Sequence, residues 1–552
     1  MIQENFIKLY ESSFKNNWEL PALSDYSENN TLTYGRLAQE IKKLHIVFES
    51  CKLQKGDKII LIGKNNTKWC VVYLAAITYG AVIVPVLQDF NPNDILHIVN
   101  HSQSSLLFCS DAIWETLEED KFDEIRGIFS LTDFRVLYQK EEESFHSIFP
   151  QAESDLIEKY PKGFNKEDVL YADVSNKEML VLNYTSGTTG FSKGVMITGN
   201  NLAGNVTFAH RKQLLNRGEK VVSFLPLAHA FGCAFEFLYA LSEGCHITLL
   251  SKIPSPKVLM KAMSEIQPHI VISVPLILEK VYKNNLLPLL EKRTMRLALN
   301  VPILNTLMYH QIRKKLNDAF GGRFHQVIIG GAPLNAEVES FLHKINFPFT
   351  VGYGMTECAP LISFDLHCDF IPTSCGQILD IMEIRIDSPD PYTIAGEIQV
   401  RGENVMNGYY RNEEATRNVF TEDGWLKTGD LGTINKENRI FIRGRSKSMI
   451  LGASGQNIYP EEIEAKLNNL PFVMESLIVS RNGKLVALVY PDYESVDSNE
   501  GVQNKYLSVI MEENRKNLNT MVAPYEHISE IQLYPTEFLK TPKRSIKRYL
   551  YN

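Results

Sequence analysis

Short, almost wholly apolar runs recur through the first 330 residues. They stand at Lys58–Gly63, Ala81–Pro85, Leu106–Phe108, Met179–Asn183, Val222–Leu225, Ile247–Leu250, His269–Ile272 and Gln326–Ile329. Each is too short for a buried helix and shows no polar alternation. That is the pattern of a strand covered on both faces, as in a parallel sheet with crossover helices. Helical spacing fills the gaps: residues 1–20, the amphipathic stretch from Leu32 to Phe48, Val71–Ile77, and a long stretch from Leu304 to Phe320. The expectation is a large α/β architecture that binds ligands beyond the C-terminal ends of its strands.

From Gly376 the period changes to two, at Met382–Ile386, Glu397–Arg401 and Arg439–Ile442. Half-buried antiparallel strands follow, in a small barrel-like part over 376–443. After Gly444-Arg445 the pattern restarts. A helix follows Pro460, a hairpin turns at Asn482-Gly483, a second helix spans Tyr506–Leu518, and a strand covers Ile528–Leu533. This reads as a compact α+β domain of normal size. A chain of 552 residues exceeds one ordinary core. The expected division is a large domain, 1–446, and a small mobile C-terminal domain, 447–552.

Hydrophobic content of 44% and charged content of 22% fit a soluble globular chain. A net charge of −8 without a sustained basic block argues against nucleic acid. The eight cysteines form no C-x-x-C pair, which disfavours structural zinc and fits reduced thiols in a cytoplasmic enzyme. The start, Met1-Ile2-Gln3-Glu4-Asn5, lacks a secretory pattern. The longest apolar run, Ala75–Leu87, is broken by Thr78, Tyr79, Gly80 and Pro85, short of the ~20 residues of a membrane span. Peripheral contact with a membrane that supplies a lipid stays open.

The chemistry concentrates first in Tyr184-Thr185-Ser186-Gly187-Thr188-Thr189-Gly190-Phe191-Ser192-Lys193-Gly194, directly after the apolar run 179–183. Glycines let backbone approach a phosphate chain, hydroxyls and N–H groups donate to it, and Lys193 supplies a point charge. A Walker A loop would need a glycine just before the lysine and Ser or Thr after it; here Gly194 follows. A solvated loop of small residues has the same composition. The order T-S-G-T-T-G-x-x-K-G, however, resembles the phosphate loop of the AMP-forming adenylate-forming enzymes, most like the fatty acyl-CoA synthetases.

Further motifs follow in that family's order. Leu225-Pro226-Leu227-Ala228-His229-Ala230-Phe231-Gly232 resembles the segment lining the carboxylate pocket, which places His229 near the substrate carboxylate. A buried structural histidine is the plain alternative. Neighbours Ala228, Ala230 and Phe231 offer no partner for a buried ammonium, with Glu236 the exception, so an amino-acid substrate is disfavoured. By the resemblance, Gly331, Ala332 and Pro333 lie along adenine. In Gly352-Tyr353-Gly354-Met355-Thr356-Glu357 the resemblance puts Tyr353 on the adenine face, with Gly354 beside it. It puts Thr356 at the α-phosphate and gives Mg²⁺ to Glu357, a hard ligand for a hard cation. Trp425-Leu426-Lys427-Thr428-Gly429-Asp430 matches W-x-x-T-G-D, which assigns the ribose hydroxyls to Asp430. Arg445 would add a ribose or phosphate contact, Lys447 would be the hinge, and Gly452 and Gly455 would line the tunnel for the thiol.

The family ends with a lysine that reaches the reacting carboxylate. Here Thr541-Pro542-Lys543-Arg544-Ser545-Ile546-Lys547-Arg548 aligns Ser545 with it, and Lys543 or Lys547 takes its place only by a register shift. The resemblance implies ATP-dependent activation of a carboxylic acid, a medium- or long-chain fatty acid by these motifs, to acyl-adenylate. Transfer to CoA follows, with ATP, Mg²⁺ and CoA as cofactors. Two alternatives stand beside it: an acyl-AMP ligase loading an acyl carrier protein, and a nucleotide- or acyl-adenylate-binding protein that lost catalysis at Ser545. A peptide-synthetase module is disfavoured, since no carrier or condensation domain follows Asn552.

Overall fold

The structure, a computed structural model, describes residues 2–28, 30–185, 192–251, 255–451, 456–481, 483–493, 496, 504–541 and 545–551. Side chains of 256, 296 and 504–506 lie outside the description.

Two seven-stranded sheets carry the expected apolar runs. The first runs, edge to edge, Phe349–Val351, Gln326–Ile329, Ile270–Ser273, Lys220–Ser223, His246–Leu249, Pro21–Asp25, Thr31–Thr33. The second runs Val136–Gln139, Gly127–Ser130, Leu106–Cys109, Lys58–Ile62, Val82–Val86, Met179–Thr185, Lys193–Thr198. Both are parallel except at edge pairs: 21–25 with 31–33, 127–130 with 136–139, and the hairpin 179–185 with 193–198. The apolar runs occur here because neighbouring strands and covering helices leave no face for water.

The helix Thr67–Tyr79 shows this packing most clearly. Eleven of its thirteen residues are buried. Trp69 and Tyr73 stack on each other at 5.4 Å and meet Phe237 edge-on, tying the helix to the segment after His229. A helix apolar all round is a core element rather than a surface one. Asn66 caps its start, accepting from the Trp69 N–H, and Gly80 in the left-handed region (φ 91°) ends it.

Several strands were absent from the expectation, among them Pro21–Asp25, Gly127–Ser130 and Phe349–Val351, and another borders the phosphate-loop motif. The polar look of Ser192-Lys193-Gly194 suggests continuing loop up to a helix near Asn200, but Lys193–Thr198 is a strand and the helix is Gly199–Arg211. Its pairing with Met179–Thr185 supplies the order that its short apolar run, Val195-Met196-Ile197, shows only weakly.

Met382–Asp387, Gly396–Gly402, Leu426–Ile434 and Ile440–Arg445 form a four-stranded antiparallel sheet. The Gln377–Arg439 bridge joins it to a three-stranded sheet of Tyr353–Gly354, Leu361–Phe364 and Gln377–Ile378. Beyond residue 447, the hairpin Val473–Arg481/Lys484–Pro491 and the strand Ile528–Leu533 make a separate sheet. Its cores draw only on residues 458–551, whereas the large core spans residues 6–440. The helix Pro460–Leu467 faces back toward Gly444, where an added Cβ would meet the Glu461 carboxylate at 3.2 Å.

Candidate active site

The first sheet gathers three of the motifs at its C-terminal edge. Ile329 and Val351 are paired at the ends of adjacent parallel strands, and the Gly352 N–H donates to the Ile329 carbonyl at 2.9 Å. Gly330–Pro333 and Gly352–Glu357 therefore leave the sheet side by side. Gly331 takes φ 86°, a conformation that turns the chain sharply and favours glycine, and Ala332 and Pro333 follow it exposed. A Cβ on Gly330 would strike the Phe231 ring at 2.9 Å, so this glycine lets the His229 segment pack against the Gly330–Pro333 loop.

His229 precedes a short helical turn, and its Nδ1 accepts from the Phe231 N–H at 3.3 Å. The segment before it is clamped from two sides. Asn65, in the loop after the strand Lys58–Ile62, donates to the Leu225 carbonyl at 2.7 Å and accepts from the Leu227 N–H at 3.0 Å. Glu236, on a π-helical turn over Cys233–Leu238, accepts from the Ser223 hydroxyl at 2.9 Å and from the Leu225 N–H at 3.2 Å. Glu236 is 0% exposed, and burial pushes its carboxyl well above the usual range. Its donors are neutral, so nothing offsets the preference that burial gives to the uncharged form. Neither clamp was legible in the motif itself; the lone acid in an apolar helix was the one signal for Glu236.

A strap at 404–410 joins the two sheets. Val195 pairs with Tyr409, the Tyr410 N–H donates to the Gly194 carbonyl at 2.8 Å, and the Met406 N–H donates to the Glu357 carbonyl at 2.9 Å. The Tyr409 hydroxyl donates to the Glu357 carboxylate at 2.9 Å, and Lys193 Nζ lies over the Tyr409 ring, 5.0 Å from its centre. Lys193 and Glu357 thus share one aromatic neighbour. Tyr409 carries no motif of its own; the aromatic pair after Gly408 was its only mark in the sequence. Thr356, beside Glu357, is buried, and Gly354 approaches Pro360 so closely that a Cβ would meet its carbonyl oxygen at 2.2 Å.

On the four-stranded sheet, Thr428 donates to the Ile398 carbonyl and accepts from the Asp430 N–H at 3.1 Å. Gly429 takes φ 75° between them, and the turn drives Asp430 into the interior. The Tyr353 hydroxyl donates to Asp430 Oδ2 at 2.7 Å, and Arg445 Nε lies 3.1 Å from Oδ1. Burial raises the Asp430 carboxyl while the Arg445 charge opposes it. Burial also raises the Tyr353 hydroxyl well above its ordinary value, so it stays a donor. Trp425 of the same motif is structural: the guanidinium groups of Arg385 and Arg401 each lie 4.6 Å from its ring.

The profile of the AMP-binding enzyme family matches residues 10–410. The chain belongs to the AMP-binding enzyme family. Its relatives include the long-chain-fatty-acid–CoA ligase FadD15 of Mycobacterium bovis, 26% identical over 94% of this chain and 90% of that protein. Long chain acyl-CoA synthetase 7, peroxisomal, of Arabidopsis thaliana is 28% identical over 98% of this chain and 80% of its own. The solved o-succinylbenzoate CoA synthetase (MenE) of Bacillus subtilis, in complex with ATP and magnesium ion, has the same fold. It gives a TM-score of 0.74 at 20% identity and 99% coverage of both chains.

For this AMP-binding enzyme, Thr185, Lys193, Tyr353, Glu357 and Asp430 fall along one connected path of described contacts. Thr185 pairs with Lys193 in the hairpin. Ser186, Gly187, Thr188, Thr189 and Gly190 lie outside the described residues, as do Gly452, Gly455 and Lys543. Lys447 is exposed, in a turn where the Ser448 and Met449 N–H groups donate to the Arg445 carbonyl. Ser545 is exposed, its carbonyl accepting from the Thr541 N–H at 2.8 Å, while Lys547 is half-buried. Arg548, next in line, pairs with Glu464 and Glu461 inside the C-terminal part.

Glu357 is half-buried, and its Oε1 accepts from Tyr409. Among the described residues no three His, Cys, Asp or Glu side chains cluster. One carboxylate fits Mg²⁺, which keeps waters and phosphate oxygens and needs few protein ligands.

Proposed function

We propose that this enzyme is an AMP-forming acid–thiol ligase that activates a medium- or long-chain fatty acid with ATP and passes the acyl group to CoA. The observation that carries the reading is the Tyr353–Asp430 bond at 2.7 Å, together with the Lys193–Tyr409–Glu357 contact a few residues along the same loop. Those contacts support the reading, since they bring a buried carboxylate, an aromatic ring and a pair of opposite charges to neighbouring positions.

In the first step the acid's carboxylate oxygen attacks the α-phosphorus of ATP, and the bond to pyrophosphate breaks. Asp430 would accept from the ribose hydroxyls, and Tyr353 would cover the adenine with its hydroxyl anchored on Asp430. Gly331–Pro333 would border the base. Lys193 and the hydroxyl-rich residues from Thr185 onward would hold the outer phosphates, and Thr356 the α-phosphate. Mg²⁺ at Glu357 would offset the negative charge that otherwise repels the nucleophile. His229 would stand at the carboxylate. In the second step the CoA sulfur attacks the acyl carbon and AMP leaves. We infer that residues 447–552 turn about Lys447 between the steps, bringing Gly452 and Gly455 to the thiol path.

The relatives' names support a fatty acid. So does Glu236, which Ser223 and Leu225 already engage and whose burial disfavours the charge that an ammonium would need. The test is pyrophosphate release across a panel of acids, with CoA or an acyl carrier protein as acceptor. Release with fatty acids, CoA thioester as product, and loss of release in Glu357→Ala are expected. ATP binding without release for any acid would instead leave a nucleotide-binding protein. Ser545→Lys should raise release about tenfold, the worth of one charge-assisted contact; an unchanged rate would place the missing cation at Lys543 or Lys547.

A further inference from the structure

The segment from Leu287 to Ala319 behaves unlike the rest of the large domain. It comprises the helices Leu287–Leu290, Arg293–Leu299 and Pro302–Ala319. From Glu291 to Gln311 no described side chain is buried, although the stretch holds Met295, Leu297, Leu299, Val301, Ile303, Leu304, Leu307 and Met308. Ile303 is 85% exposed and Leu297 62%. Only at Ile312 and Leu316 does the long helix enter the core. Leu287, Leu290 and Tyr309 rest partly against the large core, but Leu297, Val301, Ile303, Leu304 and Leu307 stay exposed, more apolar surface than a solvated helix ordinarily shows.

The charge around it is also unusual. Between residues 280 and 315 there are eight lysines and arginines, and Glu291 is the lone acid, in a chain of net charge −8. The basic residues are interspersed rather than consecutive. On the long helix, Lys314 lies seven residues beyond Leu307, and Lys315 seven beyond Met308, each on the same face and about 10 Å further from the apolar tip. Lys292, Arg293, Lys314 and Lys315 are exposed, and no carboxylate among the described residues lies within ion-pair distance of them. An apolar tip with a cationic collar matches a bilayer interface, where apolar side chains enter the acyl boundary and lysines remain at anionic headgroups. A protein interface would be depleted of lysine at its centre, and a two-fold pair of these arms would bring like charges together.

We propose that the arm 287–311 docks the enzyme onto an anionic lipid bilayer. The contact is interfacial, since no described helix is long and apolar enough to cross a membrane. The arm grows from the strand Ile270–Ser273, whose next residue, Val274, lies 3.9 Å from where a Gly331 Cβ would stand. Glu279, between the two, accepts from the Asn335 N–H at 3.0 Å. The docking surface is thus continuous with the loop that borders the candidate nucleotide site, and it places that site near a reservoir of apolar acids.

The experiment is flotation of the full chain with vesicles of phosphatidylcholine alone or with added phosphatidylglycerol, without ATP or acid, so its outcome is separate from that of the proposed ligase activity. Wild type should float with the anionic vesicles, and less so at high salt. Ile303→Asp/Leu307→Asp and, separately, Lys314→Glu/Lys315→Glu should each lower the bound fraction on the order of tenfold. Pyrophosphate release from a water-soluble acid and the melting temperature should be unchanged in both, which shows that the chain still folds. Wild type failing to float, or all three proteins floating alike, overturns the proposal. So does a vesicle-free dimer that the aspartates dissociate, which would make the arm a contact between copies.

Discussion

Asp430 and Glu236 are both carboxyl groups sunk into the large domain, and they are held in opposite ways. Asp430 meets Arg445, a cation whose side chain is 68% exposed, and a tyrosine hydroxyl that a ligand can share. Glu236 meets a serine hydroxyl and the backbone N–H groups of Phe224 and Leu225, with the aromatic cluster of Trp69, Tyr73 and Phe237 packed around its turn. Burial raises both, but only Asp430 has a charge opposing that rise. Burial by itself therefore does not mark a functional carboxyl. A compensating charge next to an opening does, because it keeps an acceptor-only group available to a polar ligand. Glu236 without such a charge serves as a hydrogen-bonded strut.

The largest test of that contrast is Asp430→Ala. Losing two charge-assisted hydrogen bonds should lower kcat/KM for ATP by about a thousandfold, with little change in melting temperature. An equal loss of stability would mean that Asp430 is a strut as well. Glu236→Ala should do the reverse. It leaves the Ser223 hydroxyl and the Leu225 N–H without their acceptor and opens a cavity, costing about 3 kcal/mol in thermal or urea unfolding.

Glu236→Gln should recover most of that, because burial among neutral donors favours the uncharged acid, which the amide resembles. The pH dependence follows from the direction of the shift. A carboxyl raised on folding contributes stability in full below its unfolded value, ordinarily near 4.5. That contribution is lost as the pH climbs toward the raised folded value. The stability of wild type relative to Glu236→Gln should therefore decline from acid toward neutral pH, measured by paired melts. A flat difference would show that the buried acid is not neutral.

The smallest effect is expected at Arg445. Arg445 holds the Asp430 carboxyl down against the rise caused by burial. Arg445→Ala should move the acidic limb of kcat/KM for ATP modestly to higher pH, since the ionised acceptor is then lost sooner on acidification. Solvent screening keeps the shift small for so exposed a side chain. No movement of the limb would assign it to another group.

Much of this architecture was readable in the chain. Continuous apolar runs such as Lys58–Gly63 and Gln326–Ile329 announce doubly covered strands, because every face must exclude water and few residue types satisfy that. Tyr353, Glu357 and Asp430 stood out through their resemblance to the family's motifs, and the structure adds that the turn before Asp430 needs glycine, with Gly429 at φ 75°. The strand Lys193–Thr198 was hidden, because its order comes from a partner strand rather than from its own residues.

What the residues determined by themselves, then, is the repertoire: doubly covered strands, half-buried antiparallel strands, and motifs with the right acceptors and donors. Tertiary structure alone decided which of these meet. Tyr409 joins Lys193 to Glu357 across more than 160 positions, Asn65 pins a segment of the other sheet, and Tyr353 anchors on Asp430. Such contacts depend on one side chain reaching one atom through a packed interior. Periodicity records which face of an element is buried, and it carries no information about which distant atom lies against that face.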